Sequence, residues 1–304
     1  MTNRLQGVLP VIATPFDERW QIDRDALARE IDWLYDHRVD GVVVAMVSEI
    51  LRLSTEERKE LHEAVIAANR GRGPVVVGVG AESTVVARDL AQHAEASGAD
   101  AVMITPPLLT RVSEDQLLAH LDAVVERVSI PVVFQDASSY VGEPVSVRLQ
   151  AELVTSFGAD RLLLKPEADP LGQRVSAILE ATGGRARIFD GSGGVALFDT
   201  FRRGIVGTMP GPDLVWAVRG MWDALTQGDD ELAVRISNPL TALISMVPGL
   251  DGYVAFEKYM LVKQGVLPHP RMRGPVSFEI DAGTEAMLEL QAQALRDAVA
   301  GAPV

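Results

Sequence analysis

A lysine that ends a short apolar run is the feature of this sequence with the clearest chemical potential. Arg161-Leu162-Leu163-Leu164-Lys165 reads as a buried strand, and period-two alternation sets Lys165 on the side of Leu163, away from Leu162 and Leu164. If that side faces the interior of a barrel, an ammonium stands above apolar layers. Desolvation then favours the free amine, the form that attacks a ketone carbonyl to make a Schiff base. The same lysine can equally reach solvent or pair with Glu167. Glu49 closes Ala45-Met46-Val47-Ser48-Glu49 after another apolar run, where a carboxylate can take a proton or cap backbone N–H groups at a turn. Gln135-Asp136-Ala137-Ser138-Ser139-Tyr140 gathers polar side chains where a substrate would lie, although such loops are also ordinary solvated turns. Two glycine-rich turns, Asp190-Gly191-Ser192-Gly193-Gly194 and Gly207-Thr208-Met209-Pro210-Gly211, offer N–H groups suited to a carboxylate or phosphate, or simply meet the steric needs of tight turns. The five histidines show no ligand spacing and cysteine is absent, so no metal, disulfide or thiolate chemistry is expected.

These residues follow one another at the ends of recurring apolar runs, and the runs imply the scaffold. Seven are clear: Val8 to Ala13, Gly41 to Met46, Val75 to Val79, Ala101 to Thr105, Pro131 to Phe134, Leu162 to Lys165 and Arg187 to Asp190. An eighth, Gly204 to Thr208, falls at the spacing that would complete the series. Each is nearly continuous Val, Ile or Leu, as strands buried on both faces require. Amphipathic segments lie between them. Asp25 to His37 carries Leu27, Ile31 and Leu34 at helical spacing, Ser54-Thr55-Glu56-Glu57 reads as a capping box, and Ser83, Ser113 and Ser146 are expected N-caps. Alternating strands and helices without linkers predict an α/β fold, a (β/α)₈ TIM barrel over residues 1–228. Four further helices are predicted, Leu214 to Thr226, Glu231 to Met246, Val254 to Lys263 and Thr284 to Ala300. The last three form a C-terminal helical extension over residues 229–304, packed on the barrel. A doubly wound dinucleotide fold is disfavoured, because Thr14-Pro15-Phe16-Asp17 stands where its glycine-rich turn would be.

Composition narrows the partners. With 42 acidic against 28 basic residues the formal net charge is −14, which argues against nucleic acid and anionic membranes. The N-terminus, Met1-Thr2-Asn3-Arg4-Leu5-Gln6, has no signal-like apolar run and no window approaches a membrane span, so a cytoplasmic protein is expected.

The ordered set of motifs resembles the dihydrodipicolinate synthase and N-acetylneuraminate lyase family. It comprises Gly7 through Asp17, Asp40-Gly41 through Ser48-Glu49, Leu53 through Arg58, Val77-Gly78-Val79-Gly80, Ala99-Asp100-Ala101, Thr105-Pro106-Pro107, Ile130-Pro131-Val132, Lys165, Gly265 and Arg273-Gly274-Pro275. The resemblance implies the barrel with C-terminal helices, a homo-oligomer (dimer or tetramer), and Lys165 as the lysine that forms a Schiff base with pyruvate or another 2-oxo acid. It implies no cofactor, since the lysine is itself the electron sink.

Departures from the family pattern bear on the reaction. Where the family's synthases end the second strand in Gly-Thr-Thr-Gly-Glu, this chain has Ala45, Met46, Val47, Ser48 and Glu49. Gln135 and Asp136 replace the usual Tyr-Asn, Tyr140 stands where an Arg often follows, and Leu108 aligns with a frequent tyrosine. Ser-Glu and Gln-Asp at these places, with Lys165-Pro166-Glu167, are similar to the branch that includes L-2-keto-3-deoxyarabonate dehydratase. The expected reaction is therefore dehydration of a 2-keto-3-deoxy sugar acid. The alternatives are a pyruvate-dependent aldolase or lyase, a dihydrodipicolinate-synthase-like condensation, and a barrel that binds 2-oxo acids without turnover. Expected catalytic residues are Lys165, Gln135, Asp136 and Glu49; expected substrate contacts are Val47, Ser48, Tyr140, Leu108, Gly191, Gly207 and Thr208.

Overall fold

Runs of Val, Ile and Leu become strands here because both faces of each strand are covered, and every strand residue is buried. The structure, a computed structural model, describes residues 5–138, 140 and 143–301; Ser139 of the predicted polar loop lies outside them, as do residues 1–4, 141–142 and 302–304. The strands are β1 (Gly7–Val8), β2 (Val42–Val44), β3 (Val75–Gly78), β4 (Ala101–Ile104), β5 (Val132–Gln135), β6 (Leu162–Lys165), β7 (Phe189–Asp190) and β8 (Gly207–Thr208). All pairings are parallel, in the orders β2-β3-β4-β5-β6 and β1-β8-β7. Single bridges, Val11 to Val43 and Leu164 to Ile188, join the two sheets into a closed ring. The expected (β/α)₈ barrel is thus present.

Alternation sorts the side chains. Val43, Val76, Ala101, Met103, Val133, Leu163 and Phe189 fill the interior, while Val42, Val44, Val75, Leu162 and Leu164 face the helices. Lys165 therefore shares the inner side with Leu163. The first strand is shorter than its apolar run, because Pro10 has no N–H to give the ladder.

Around the barrel run α1 (Arg24–Asp36), α2 (Thr55–Asn69), α3 (Thr84–Ala96), α4 (Glu114–Val125), α5 (Val147–Phe157), α6 (Leu171–Ala181), α7 (Leu197–Arg202) and α8 (Val215–Gln227). The Ser54 and Glu57 capping box forms as predicted, and Ser113 and Ser146 accept from the N–H groups of Gln116 and Leu149. Ser83 makes no side-chain cap. Gly228, at φ 78°, ends α8 in the left-handed region, and Asp229 caps the next helix at once. There follow α9 (Asp230–Ile244), α10 (Gly249–Lys263) and α11 (Ala282–Ala300). α9 and α11 pack on each other and on α8, whereas α10 packs against the turn that follows β2. The extension thereby supplies one wall at the C-terminal mouth of the barrel. Among the described residues no single helix is long and apolar enough to cross a membrane.

Candidate active site

The register of two neighbouring strands builds the centre of the site. Gln135 and Lys165 are direct partners at the ends of β5 and β6, so their side chains rise next to each other from the barrel. Both are buried, and Glu167, two residues beyond the lysine, folds back between them. Its Oε1 lies 2.5 Å from Lys165 Nζ and accepts a hydrogen bond of 2.7 Å from Gln135 Nε2. The ammonium thus faces a carboxylate, not an apolar pocket. Asp136 holds this arrangement from behind: its Oδ1 accepts from the Glu167 N–H at 3.0 Å and from the Ser138 N–H and hydroxyl at 3.2 and 3.0 Å. Burial is the main force pushing the Asp136 carboxyl above its usual range. Gly191 leaves room for the pair, since a Cβ there would stand 2.9 Å from Glu167 and 3.1 Å from Lys165 Cε.

Five of the sequence-predicted residues, Lys165, Gln135, Val47, Tyr140 and Gly191, line one cavity. Its other walls are Ala45 and Met46 after β2, Met209, Pro210 and Gly211 after β8, and Tyr253 and Glu257 from α10. Room for a water-sized molecule amounts to about 20 Å³, so a 2-oxo acid enters only as side chains give way. The rings of Tyr140 and Tyr253 meet edge to face at 5.8 Å. Burial raises the Tyr140 phenol well above its ordinary value, so it stays a neutral O–H and is no base near neutrality.

Other predicted site residues lie elsewhere, for steric or bonding reasons. Glu49 is fully buried away from the cavity, paired with Lys258 of α10 and accepting from the Arg273 N–H at 2.9 Å. Lys258 also donates to the Arg271 carbonyl at 2.5 Å and lies 4.6 Å from the centre of the Phe16 ring. Glu49 therefore clamps the β2 turn to α10. Removing one partner of a fully buried pair leaves an uncompensated charge, so Lys258→Met is expected to cost about 3–5 kcal/mol in chemical denaturation. A loss below about 1 kcal/mol would show that the pair is no clamp. The Ser48 hydroxyl is likewise engaged, accepting from Ala45 N–H at 3.1 Å and donating to the Ile12 carbonyl at 2.6 Å. Ser48 thus fixes the turn and does not face a substrate.

Leu108 turns outward after β4, its N–H donating to Glu82 at 2.5 Å, and it lines a surface groove with Pro106 and Val145. Gly207 is a packing glycine: a Cβ on it would stand 2.4 Å from the Gly7 carbonyl oxygen and 2.5 Å from the Phe189 ring. The Thr208 hydroxyl donates to the Asp190 carbonyl at 3.5 Å. At the end of β7, Asp190 accepts from the Ser192 N–H and hydroxyl at 2.9 and 2.7 Å and from Thr200 at 2.7 Å. An anion-binding use of that turn would have to compete with Asp190. Sequence reasoning missed Glu167 as more than a pairing partner, and it missed Tyr253, Glu257, Asp213 and Lys258 altogether.

Comparison with known proteins agrees with this architecture. The model of the dihydrodipicolinate synthetase family matches residues 4–293. The 4-hydroxy-tetrahydrodipicolinate synthase of Bartonella quintana is 28% identical over 270 residues, 86% of this chain and 89% of that one. The solved structure of the 4-hydroxy-tetrahydrodipicolinate synthase from Methylacidiphilum fumariolicum SolV superposes with a TM-score of 0.87 at 25% identity, covering 97% of each chain. YagE, a prophage protein of the same family from E. coli K12 solved in complex with pyruvate, gives a TM-score of 0.88 at 24% identity, covering 96% of this chain and 99% of that one.

Proposed function

The chain belongs to the dihydrodipicolinate synthetase family, a lyase fold, and from that premise we propose that it holds a 2-keto-3-deoxy sugar acid as a Schiff base on Lys165 and removes water from it. The observation that carries this reading is the carboxylate of Glu167 at 2.5 Å from Lys165 Nζ, beside a glutamine that cannot titrate. The 2-oxo group condenses with the lysine and expels one water. In the resulting iminium the C3–H bond is acidic, because its electron pair delocalises onto the cationic nitrogen as an enamine. Glu167 takes the C3 proton. The enamine then expels the C4 hydroxyl, to which Glu167 returns the proton, so that H and OH leave as water from C3 and C4. Tautomerisation carries the C5 hydroxymethyl group to an aldehyde, and hydrolysis of the imine frees Lys165. The substrate carboxylate lies against Met46 and Val47, which open the turn after β2 and line the cavity.

Carbon–carbon cleavage is the runner-up, and it asks more of this site. A base must take the C4 hydroxyl proton; Gln135 is no base and the Tyr140 phenol resists ionisation, so Glu167 would have to do this besides serving the C3 position. Condensation of the synthase kind would in addition lack the arginine for a second carboxylate, since Tyr140 stands there. Incubation with a five-carbon 2-keto-3-deoxy acid separates the outcomes. Dehydration yields 2-oxoglutarate semialdehyde without pyruvate. Equimolar pyruvate and glycolaldehyde would mean cleavage, and unchanged acid despite tight binding would mean a barrel without turnover.

A further inference from the structure

α10 brings a second carboxyl group to the cavity, outside the machinery on β5 and β6. Glu257 lines the wall beside Gly211 and Tyr253, and Asp213, from the segment after β8, lies behind it. A Cβ on Gly211 would stand 2.5 Å from Glu257 Oε1 and 2.8 Å from Asp213 Oδ1, so both carboxyls converge on one glycine. They are only 1% and 3% exposed, and Glu257 Oε2 and Asp213 Oδ2 have no partner among the described residues.

The surroundings are short of positive charge. Glu30 of α1 approaches from one side, its Oε1 accepting from the Ala13 N–H at 2.7 Å, and Glu49 from the β2 turn. Lys258, next in sequence to Glu257, is engaged by Glu49 and the Arg271 carbonyl. Tyr253, one turn earlier on α10, is a neutral phenol. Burial foremost, then the neighbouring carboxylates, raises Glu257 well above the carboxylate range; burial raises Asp213 to about 7 and Glu30 to about 8. What Glu257 shows the cavity near neutrality is accordingly a carboxylic acid, which both donates and accepts a hydrogen bond. An incoming carboxylate would meet several acidic groups and, among the described residues, no free cation, and it would be desolvated without compensation.

With the 2-oxo end anchored at Lys165 as proposed above, we infer that Glu257, backed by Asp213, selects the far end of the substrate: it takes a hydroxyl and rejects a second carboxylate. This makes it a specificity-determining residue that leaves the imine chemistry to Lys165 and Glu167.

Two five-carbon acids, 5-hydroxy-2-oxopentanoate and 2-oxoglutarate, differ only at the far end. Lacking a C4 hydroxyl, they neither lose water nor cleave. Each is titrated calorimetrically at pH 7.5 into wild type, Glu257→Gln and Glu257→Leu, with affinities referred to the open-chain acid. Wild type is expected to prefer the hydroxy acid by at least about 10-fold. Glu257→Gln, still donor and acceptor, keeps its affinity for that acid within about threefold; Glu257→Leu loses about 10-fold and with it most of the preference. Equal wild-type affinities, or a preference unchanged in the leucine variant, would overturn the inference. Borohydride trapping of pyruvate, which has no far end, is run on the same proteins. Its failure would count against the Lys165 reading alone, because calorimetry reads the far-end preference without it.

Discussion

Lys165→Ala is expected to abolish the borohydride-stable adduct with pyruvate and to lower turnover of the 2-keto-3-deoxy acid by at least about 10⁴-fold. No other described amine lines the cavity, so nothing can substitute for the nucleophile. A second effect needs separating from the first. The alanine also strips Glu167 of its cation, and a carboxylate that is almost fully buried then loses its compensation. Lys165→Arg resolves the two, since a guanidinium retains the charge yet forms no imine with a ketone. Both variants should therefore be silent in intact-mass analysis after reduction, while arginine preserves more of the thermal stability. A pyruvate adduct that persists on another lysine in Lys165→Ala would displace the nucleophile from β6 and undo the proposed mechanism.

How far the sequence announced this arrangement depends on which forces shaped each part. Strands of a parallel barrel are buried on both faces, so Val42–Val44, Val75–Gly78 and Leu162–Lys165 are legible as runs, and period two alone puts Lys165 with Leu163. The caps at Ser54, Ser113 and Ser146 are local and equally legible. Glu49 is not, because the group that decides its role, Lys258, lies 209 residues downstream. Ser48 is claimed in the same way by Ile12, 36 residues upstream, a contact that no local pattern reports. Gly207 looks like a ligand-binding turn in sequence, but it exists to let β1 and Phe189 approach. α10 hides its chemistry for a different reason. Val254 through Lys258 are all buried, so the helix shows no polar stripe to mark an inward face. The available signal was the pair Glu257-Lys258 set inside an apolar run, where unsolvated charges need partners. Glu167 was in view throughout, but only the β5 to β6 register shows that it reaches Gln135 as well as Lys165.

That three-way contact makes Glu167→Gln the more discriminating experiment. The amide is nearly the same size and can still bond Gln135, so the loops held by Asp136 should keep their places, although Lys165 loses its buried counter-charge and the protein some stability with it. What the amide cannot do is take a proton from C3 and return it to the C4 hydroxyl. Pyruvate should therefore still be trapped on Lys165 at equilibrium, whereas turnover should fall about 10²- to 10⁴-fold, the usual range for a lost general acid–base. A finer readout isolates the first half of the cycle. Pyruvate bound as an imine exchanges its methyl protons with deuterated solvent only when a base works at C3, so exchange should cease in Glu167→Gln and continue in wild type. Were exchange to continue unchanged while dehydration failed, another group would be removing the C3 proton, and Glu167 would act only on the departing hydroxyl. Asp136→Asn gives the matching control for a positioning residue. Its amide can still accept from the Glu167 N–H through the same oxygen, so exchange should survive with a smaller loss in turnover. Parallel collapse of both variants would instead place the catalytic proton on Asp136.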